Sequence, residues 1–295
     1  MTDRARAVAL VTDSTAGIER VSPKIHCAVV PLTLEIDGAE YKEGADLSAA
    51  DFYHLLEVAG SPPVTLPPDV EEFVAAYEPL LAENESVLSI HLSGELSRTV
   101  ERAREAAGRL GAGDRIAVLD SRLAGAALGL LCLEADARLR RGDPLAETRS
   151  ALERIIAGIR VYFSVYSLDF LYLGGRLDRV GMPGSRVADD RPILTLEDGK
   201  LVLVERVIGE TTRVDRMLEL VSAEFGESEP LAGAVTHAGR RGQAAAARLE
   251  ELLGGESGRV EIAFSLPLGP VLCAHTGFDV CGIAVYPRRL SAAGH

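Results

Sequence analysis

Short apolar stretches at residues 7–11 (AVALV), 87–91 (Val87, Leu88 and Ile90) and 116–119 (IAVL) each lead to a polar cluster: Thr12-Asp13-Ser14-Thr15, Ser93-Gly94 and Asp120-Ser121. Runs of this length, bounded by helix-start residues, predict buried strands. After Ser93 the apolar positions Leu96, Val100, Ala103, Ala107 and Leu110 recur at spacings of three and four, which predicts a helix with one buried face. HCAVVPLTLEI (26–36) predicts a strand. DLSAADFYHLLE predicts a helix capped by Asp46 or Ser48, SPPVTLPPDV a stiff loop, and LAGAALGLLCLEA a buried helix. Strands alternating with helices in this way predict a parallel sheet with helices on both faces, running to about residue 157.

Beyond that point the texture changes. IRVYFSVYSLDFLYLGGRLDRVG is punctuated by glycines at 174, 175, 181 and 184, and PILTLEDGKLVLVERVI reads as a hairpin turning at Asp198-Gly199. A helix, the strand LAGAVTHA, another helix and two further strands follow. The expectation is an α/β protein with an N-terminal parallel-sheet α/β domain (1–157, including the Pro-rich loop 61–69) and a C-terminal α+β domain with antiparallel pairing (158–290), then a frayed tail at 291–295. No internal repeat or low-complexity tract interrupts this pattern.

At 295 residues, 47% of them hydrophobic, the chain is long enough for two domains with sizeable cores. A formal net charge of −13 argues against nucleic acid, which calls for a basic face, and against anionic membrane surfaces. The longest apolar stretch is far short of the roughly 20 residues of a membrane span. VALV before Thr12 is too short for a signal-peptide core, so a cytoplasmic location and reduced thiols at Cys27, Cys132, Cys273 and Cys281 are expected. Cys273-x-His275 with Cys281 has poor spacing for a closed zinc site, and no metal is expected.

Walker A, G-x-G-x-x-G and G-x-S-x-G are all absent from the sequence. What stands out is the density of hydroxyls in SGELSRT: Ser93, Ser97 and Thr99 at the mouth of one predicted helix. One hydroxyl suffices as a cap. Several at the end of a strand in an open sheet also suit a carboxylate or phosphate, and both readings fit this segment. His275 lies among apolar residues in LGPVLCAHTG and needs a partner, a ligand carboxylate being one choice. Arg176 follows two glycines, which present a guanidinium from a tightly turned backbone to an anion or to solvent. His26 and His54 read as ordinary core or surface residues.

The segments VTDSTAG, VVPLTLEIDGAEY, DLSAADFY, PPVT, SGELSRT, VLDS, LDFLYLGGRL, RPILTLEDGKL and LGPVLCAHTG, in this order over residues 8 to about 287, resemble the DegV family of fatty-acid-binding proteins, which includes the binding subunit of bacterial fatty acid kinase. The resemblance implies two domains enclosing one long-chain fatty acid in a tunnel at their interface. It implies that Ser93, Thr65 and His275 hold the carboxylate, with Gly94, Ser97 and Arg98 beside them. Arg176 matches the arginine associated with phosphoryl transfer or with docking the kinase. It further implies no cofactor and no catalytic residues of its own: a separate kinase with a dihydroxyacetone-kinase-like domain carries the nucleotide and phosphorylates the bound acid to an acyl phosphate.

The chain departs from the family pattern at several points. Arg98 stands where glycine is usual and Leu66 where serine is common. Gly277-Phe278-Asp279 replaces G-P-G, and Ile208 replaces an arginine for which Arg206, two residues earlier on the same strand face, is a substitute. These changes bear on kinase coupling more than on lipid binding. They keep open a kinase-independent lipid carrier or sensor and, further off, a phosphotransferase using His275 as a phosphoryl carrier. Burying about fifteen methylenes at roughly 0.8 kcal/mol each supplies on the order of 12 kcal/mol before association costs, so the head group needs orientation more than attraction.

Overall fold

The computed structural model describes residues 8–22, 24–47, 51–52, 54–55, 60–177, 189–254 and 259–291. Ser48, Gly181, Gly184 and the tail 292–295, all named above, lie outside these residues. The first apolar run forms β1 (Val8–Asp13), buried along its whole length, and continues through a single turn at Ser14–Ala16 into α1 (Ile18–Val21). β2 (Cys27–Val30) pairs with β1 in parallel. Pro31 then ends it, because proline has no N–H for a ladder.

Downstream of Pro31, β3 (Thr33–Ile36) pairs antiparallel with β4 (Ala39–Lys42) on one side and β5 (Val64–Leu66) on the other. The single strand expected at 26–36 is therefore two strands in two sheets. The stiff loop expected at 61–70 contains β5, held to three residues by Pro62-Pro63 before it and Pro67-Pro68 after it, at the edge of its sheet where prolines are tolerated. Asp46 accepts the Lys42 N–H at 2.8 Å and closes a turn, and residues 51–52 and 54–55 are helical, as expected for this segment.

α2 (Val70–Glu83) starts at a capping box between Asp69 and Glu72. It leads to β6 (Ser86–His91), α3 (Thr99–Arg109), β7 (Ile116–Asp120), α4 (Ala126–Arg141) and α5 (Leu145–Gly158). The four parallel strands lie in the order β2-β1-β6-β7. Their alternation divides the core: Ala9 and Val11 pack with Phe73, Tyr77 and Ala103 under α2 and α3, whereas Val8 and Leu10 pack with Leu128 and Leu131 of α4. Eleven of the sixteen α4 residues are buried, because its far side meets Ala234 and Ala284 of a second sheet.

That second sheet has the order β10-β9-β8-β13-β11-β12, from β8 (Arg160–Val165), β9 (Asp190–Glu197), β10 (Lys200–Ile208), β11 (Leu231–Ala238), β12 (Val260–Pro267) and β13 (Val280–Pro287). It is mixed: β11 and β12 run parallel, and the other neighbours pair antiparallel as expected. α7 (Glu210–Phe225) and α8 (Gly239–Leu253) cover its outer face through Met217, Val221, Ala246 and Leu249. Its inner face meets α4 and the small β4-β3-β5 sheet, with α6 (Asp169–Leu173) and α9 (Pro270–Thr276) filling the angle. The protein thus has a parallel-sheet N-terminal domain and a separate mixed-sheet C-terminal domain, with an apolar seam between them.

Candidate functional site

The seam holds a cavity whose empty space, open mouth included, amounts to about 960 Å³. Both domains build it. Val161 and Phe163 of β8 face inward while Tyr162 between them packs on the α7–α8 side. Leu196 and Leu201 come from β9 and β10, Ala124–Ala127 from the start of α4, and Val271 and Leu272 from α9. Thr236 and Thr276 also line it, but their hydroxyls donate to the Leu266 and Leu272 carbonyls.

Among the described residues, four further polar ones line the cavity: Thr65, Ser97, Arg176 and His275. Thr65 Oγ1 and His275 Nε2 are 2.8 Å apart. β5 supplies the threonine and the last turn of α9 the histidine, so this bond crosses from the small sheet to the C-terminal domain. His275 Nδ1 is buried with no hydrogen-bond partner among the described residues. Burial, reinforced by the Arg176 charge, pushes the imidazole pKa down to about 4, so the ring is neutral at pH 7.

Gly174 and Gly175 serve different purposes. A Cβ on Gly174 would lie 2.3 Å from His275 Nδ1, so the backbone of 174 is the wall against which the imidazole sits. Gly175 has φ +67°, a left-handed conformation that turns the chain back. That turn lets Arg176 donate to the Gly174 carbonyl and, through Nε, to the Leu96 carbonyl at 3.2 Å. Partial burial lowers the pKa of this guanidinium, which still stays charged. Ser97, next to Leu96, completes the cluster, its hydroxyl 2.9 Å from that of Thr99.

The other residues expected at the site lie elsewhere. Ser93 is fully buried but does not line the cavity: its hydroxyl donates to the Gly199 carbonyl at 2.8 Å and accepts the Glu95 N–H at 3.2 Å. Thr65 is thus bonded to His275, while Ser93 gives its hydroxyl proton to the Gly199 carbonyl. Gly94 is exposed and donates its N–H to Asp120. Arg98 is exposed too, and grips Glu101 one turn along α3 with two hydrogen bonds of 2.8 and 2.9 Å. Arg206 pairs with Asp190 across the β9–β10 ladder, outside the cavity, and Ile208 is exposed. In the G-F-D segment, Phe278 packs near Phe52 and Phe170 while Asp279 binds the buried Arg213 at 2.9 Å. Cys273 and Cys281 are buried and belong to no metal-binding group among the described residues.

Two contributors escaped the sequence reading. Gly174 was visible as part of a glycine pair, but its role as a steric neighbour of His275 depends on a contact 101 positions away. Glu43 is the other. It is almost wholly buried and accepts the Val271 N–H at 2.9 Å, at the start of the helix that carries His275. A Cβ on Gly269 would lie 2.2 Å from Oε1, so the helix start closes tightly on this carboxyl. Burial raises the Glu43 pKa.

A two-lobed α/β protein with an apolar chamber between the lobes and a compact polar cluster in its wall is the class that fold and site define. The chain belongs to the DegV family, whose model matches residues 7–288. It is 31% identical over 281 residues to a DegV domain-containing protein of Listeria monocytogenes, covering 94% of this chain and 97% of the relative. It is 30% identical to protein DegV of Bacillus subtilis over 94% of this chain and 98% of that one. Among solved structures, it is similar to a DegV family protein from Thermus thermophilus described as fatty acid binding, at TM-score 0.87 and 30% identity, over 95% of this chain and 99% of that one. It is also similar to DegV from Bacillus subtilis, described as a fatty acid binding protein, at TM-score 0.81 and 29% identity with the same coverage. No described helix is long and apolar enough to cross a membrane.

Proposed function

We propose that this chain binds a long-chain fatty acid in the seam, with the carboxylate against Thr65, Ser97, His275 and Arg176 and the tail in the apolar part of the cavity, and that it presents the acid to a separate kinase for conversion to an acyl phosphate. The observation that carries this reading is the pairing of Thr65 with His275 inside an otherwise largely apolar chamber. The unpartnered His275 Nδ1 is a buried polar atom, and such atoms are costly unless something bonds to them. With Nδ1 protonated and Nε2 accepting from Thr65, the neutral ring donates to an oxygen. Among the described residues that line the cavity Arg176 alone carries a positive charge, and it holds the carboxylate.

Related structures described as fatty acid binding support the ligand class. For phosphorylation, the carboxylate oxygen attacks a γ-phosphoryl group brought by the partner, so this chain contributes position and charge neutralisation. A kinase-independent carrier is the second reading, favoured by the engagement of Arg206 with Asp190 and by the exposed Ile208 in the place of an arginine. Denaturing mass spectrometry of the purified chain tests the ligand: a single co-purified fatty acid is expected, and none, with no uptake of added acid, overturns the reading. Incubation with the kinase and ATP, trapping product with hydroxylamine, separates the two readings. Hydroxamate forms for a kinase subunit and not for a carrier.

A further inference from the structure

We infer that the β9–β10 hairpin is the gate through which the ligand chain enters and leaves the cavity, held shut by a latch between its tip and the parallel-sheet domain. This inference rests on the lipid reading above. Leu196 and Leu201 face each other across the hairpin ladder and both line the cavity, so the hairpin is one of its walls. Between them the chain turns in two residues, Asp198 and Gly199, at φ +48° and +85°.

The tip rests on two loops of the other domain. Ser93 Oγ donates to the Gly199 carbonyl at 2.8 Å, Arg122 pairs with Asp198 at 2.9 Å, and Lys200 reaches Glu95 at 3.6 Å. The contact is close: a Cβ on Gly199 would lie 2.4 Å from Ser93 Oγ and 3.3 Å from Arg122 Cβ. Ser93, Glu95 and Arg122 are interleaved in sequence with Leu92, Leu96 and Ala124, which line the cavity. The latch therefore closes a seam whose two edges are both cavity wall.

The hairpin is also built to move. β9 pairs with β8 only from Ile193 to Thr195, so Leu196 and the tip extend beyond the sheet as a two-stranded ribbon, a form with little stability of its own. β10 has no neighbour on its outer side among the described residues. At the base of the ribbon the register shifts between Leu203 and Glu205, a bulge that bends a strand locally. One buried hydrogen bond and two exposed ion pairs hold the tip, and exposed pairs are individually weak. The latch therefore releases without unfolding either sheet.

The test uses the full chain with Glu95→Cys and Lys200→Cys, joined by a reducible bis-methanethiosulfonate bridge, and the fluorescent fatty acid cis-parinaric acid as probe. Bridging is expected to slow probe release at least tenfold, reduction to restore it, and Lys200→Glu, which faces Glu95 with like charge, to speed release two- to fivefold. Release unchanged within twofold by a closed bridge overturns the gate, as does failure of the two thiols to bridge. A wild-type chain that takes up no probe overturns the lipid reading itself, and the gate with it. That result is distinct from a binding protein indifferent to the bridge.

Discussion

Thr65 Oγ1 and His275 Nε2 meet at 2.8 Å although 210 positions separate them in the chain. The pair joins an edge strand of the smallest sheet to the last turn of a seven-residue helix, and each side fixes the other. Replacing Thr65 by Val keeps the shape and removes the hydroxyl. On the proposed tautomer Thr65 gives its proton to His275 Nε2 and so holds the ring whose Nδ1–H meets the carboxylate; a neutral hydrogen bond of this kind contributes about 0.5–1.5 kcal/mol, so fatty-acid affinity should fall roughly two- to tenfold. Competition with a fluorescent fatty acid measures this, and undiminished affinity removes Thr65 from the head-group site.

The two neighbouring glycines should separate by readout. Gly174→Ala leaves an ordinary helical φ but drives a methyl against His275 Nδ1, displacing the ring. Lipid affinity should drop at least tenfold, with about 1–3 kcal/mol lost from stability through overpacking. Gly175→Ala has open space around its Cβ and only the left-handed backbone to strain, costing about 1 kcal/mol with affinity retained within threefold. Denaturant melts and probe titration on both variants decide it. Equal loss of binding in the two contradicts the steric role of Gly174.

Acid should weaken the ligand-free fold through His275. Its pKa of about 4 in the folded chain lies below the ordinary value near 6.5, so the unfolded chain binds the extra proton first as pH falls. The stabilising contribution is present in full above about pH 6.5 and is lost between there and pH 4, a change of up to about 3 kcal/mol. His275→Gln should flatten that part of the pH profile measured by urea unfolding. A bound carboxylate favours the protonated ring, so lipid uptake should draw in protons in the same window, a change visible by calorimetry in buffers of different ionisation heat.

Glu43 should behave in the opposite sense. Burial raises its pKa above that of the unfolded chain, so ionising it costs stability as pH rises above about 4.5. Gln in its place keeps an acceptor for the Val271 N–H and removes the buried charge. Glu43→Gln is expected to match or exceed the wild type in unfolding free energy at pH 8, the advantage shrinking toward pH 4.5. A large loss of stability at pH 8 would show that the charge of Glu43 is used, by Arg20, whose positive charge acts on this carboxyl and opposes the rise in its pKa.

Much of the architecture was legible because it repeats local rules. Apolar stretches ending in helix-start residues marked β1, β6 and β7, continuous in β1 and interrupted by Ser89 in β6, and Asp198-Gly199 marked its hairpin. Pro31 was present to be read as the break between β2 and β3, but the apolar run continues across it, so pattern outweighed punctuation. β5 was hidden by its flanking prolines. It is a strand only because β3 offers a partner edge. Among the site residues, the motifs of the resemblance led to Thr65, Ser97, Arg176 and His275, which the cavity brings together, and equally to Ser93, Gly94, Arg98 and Arg206, which it does not.

By itself, then, the amino-acid order determined the parallel sheet, the change to a second domain after α5, the hairpin turn and a short list of polar candidates, because strand periodicity, caps and turn residues act over a few positions. Which candidates share one chamber was decided only in three dimensions. Val161 and Phe163 look no different from Tyr162 when both faces of a strand are covered, and a hydroxyl such as Ser93 bonds to whichever acceptor folding brings nearest. The Gly199 carbonyl that takes its proton is 106 residues away and belongs to the other domain.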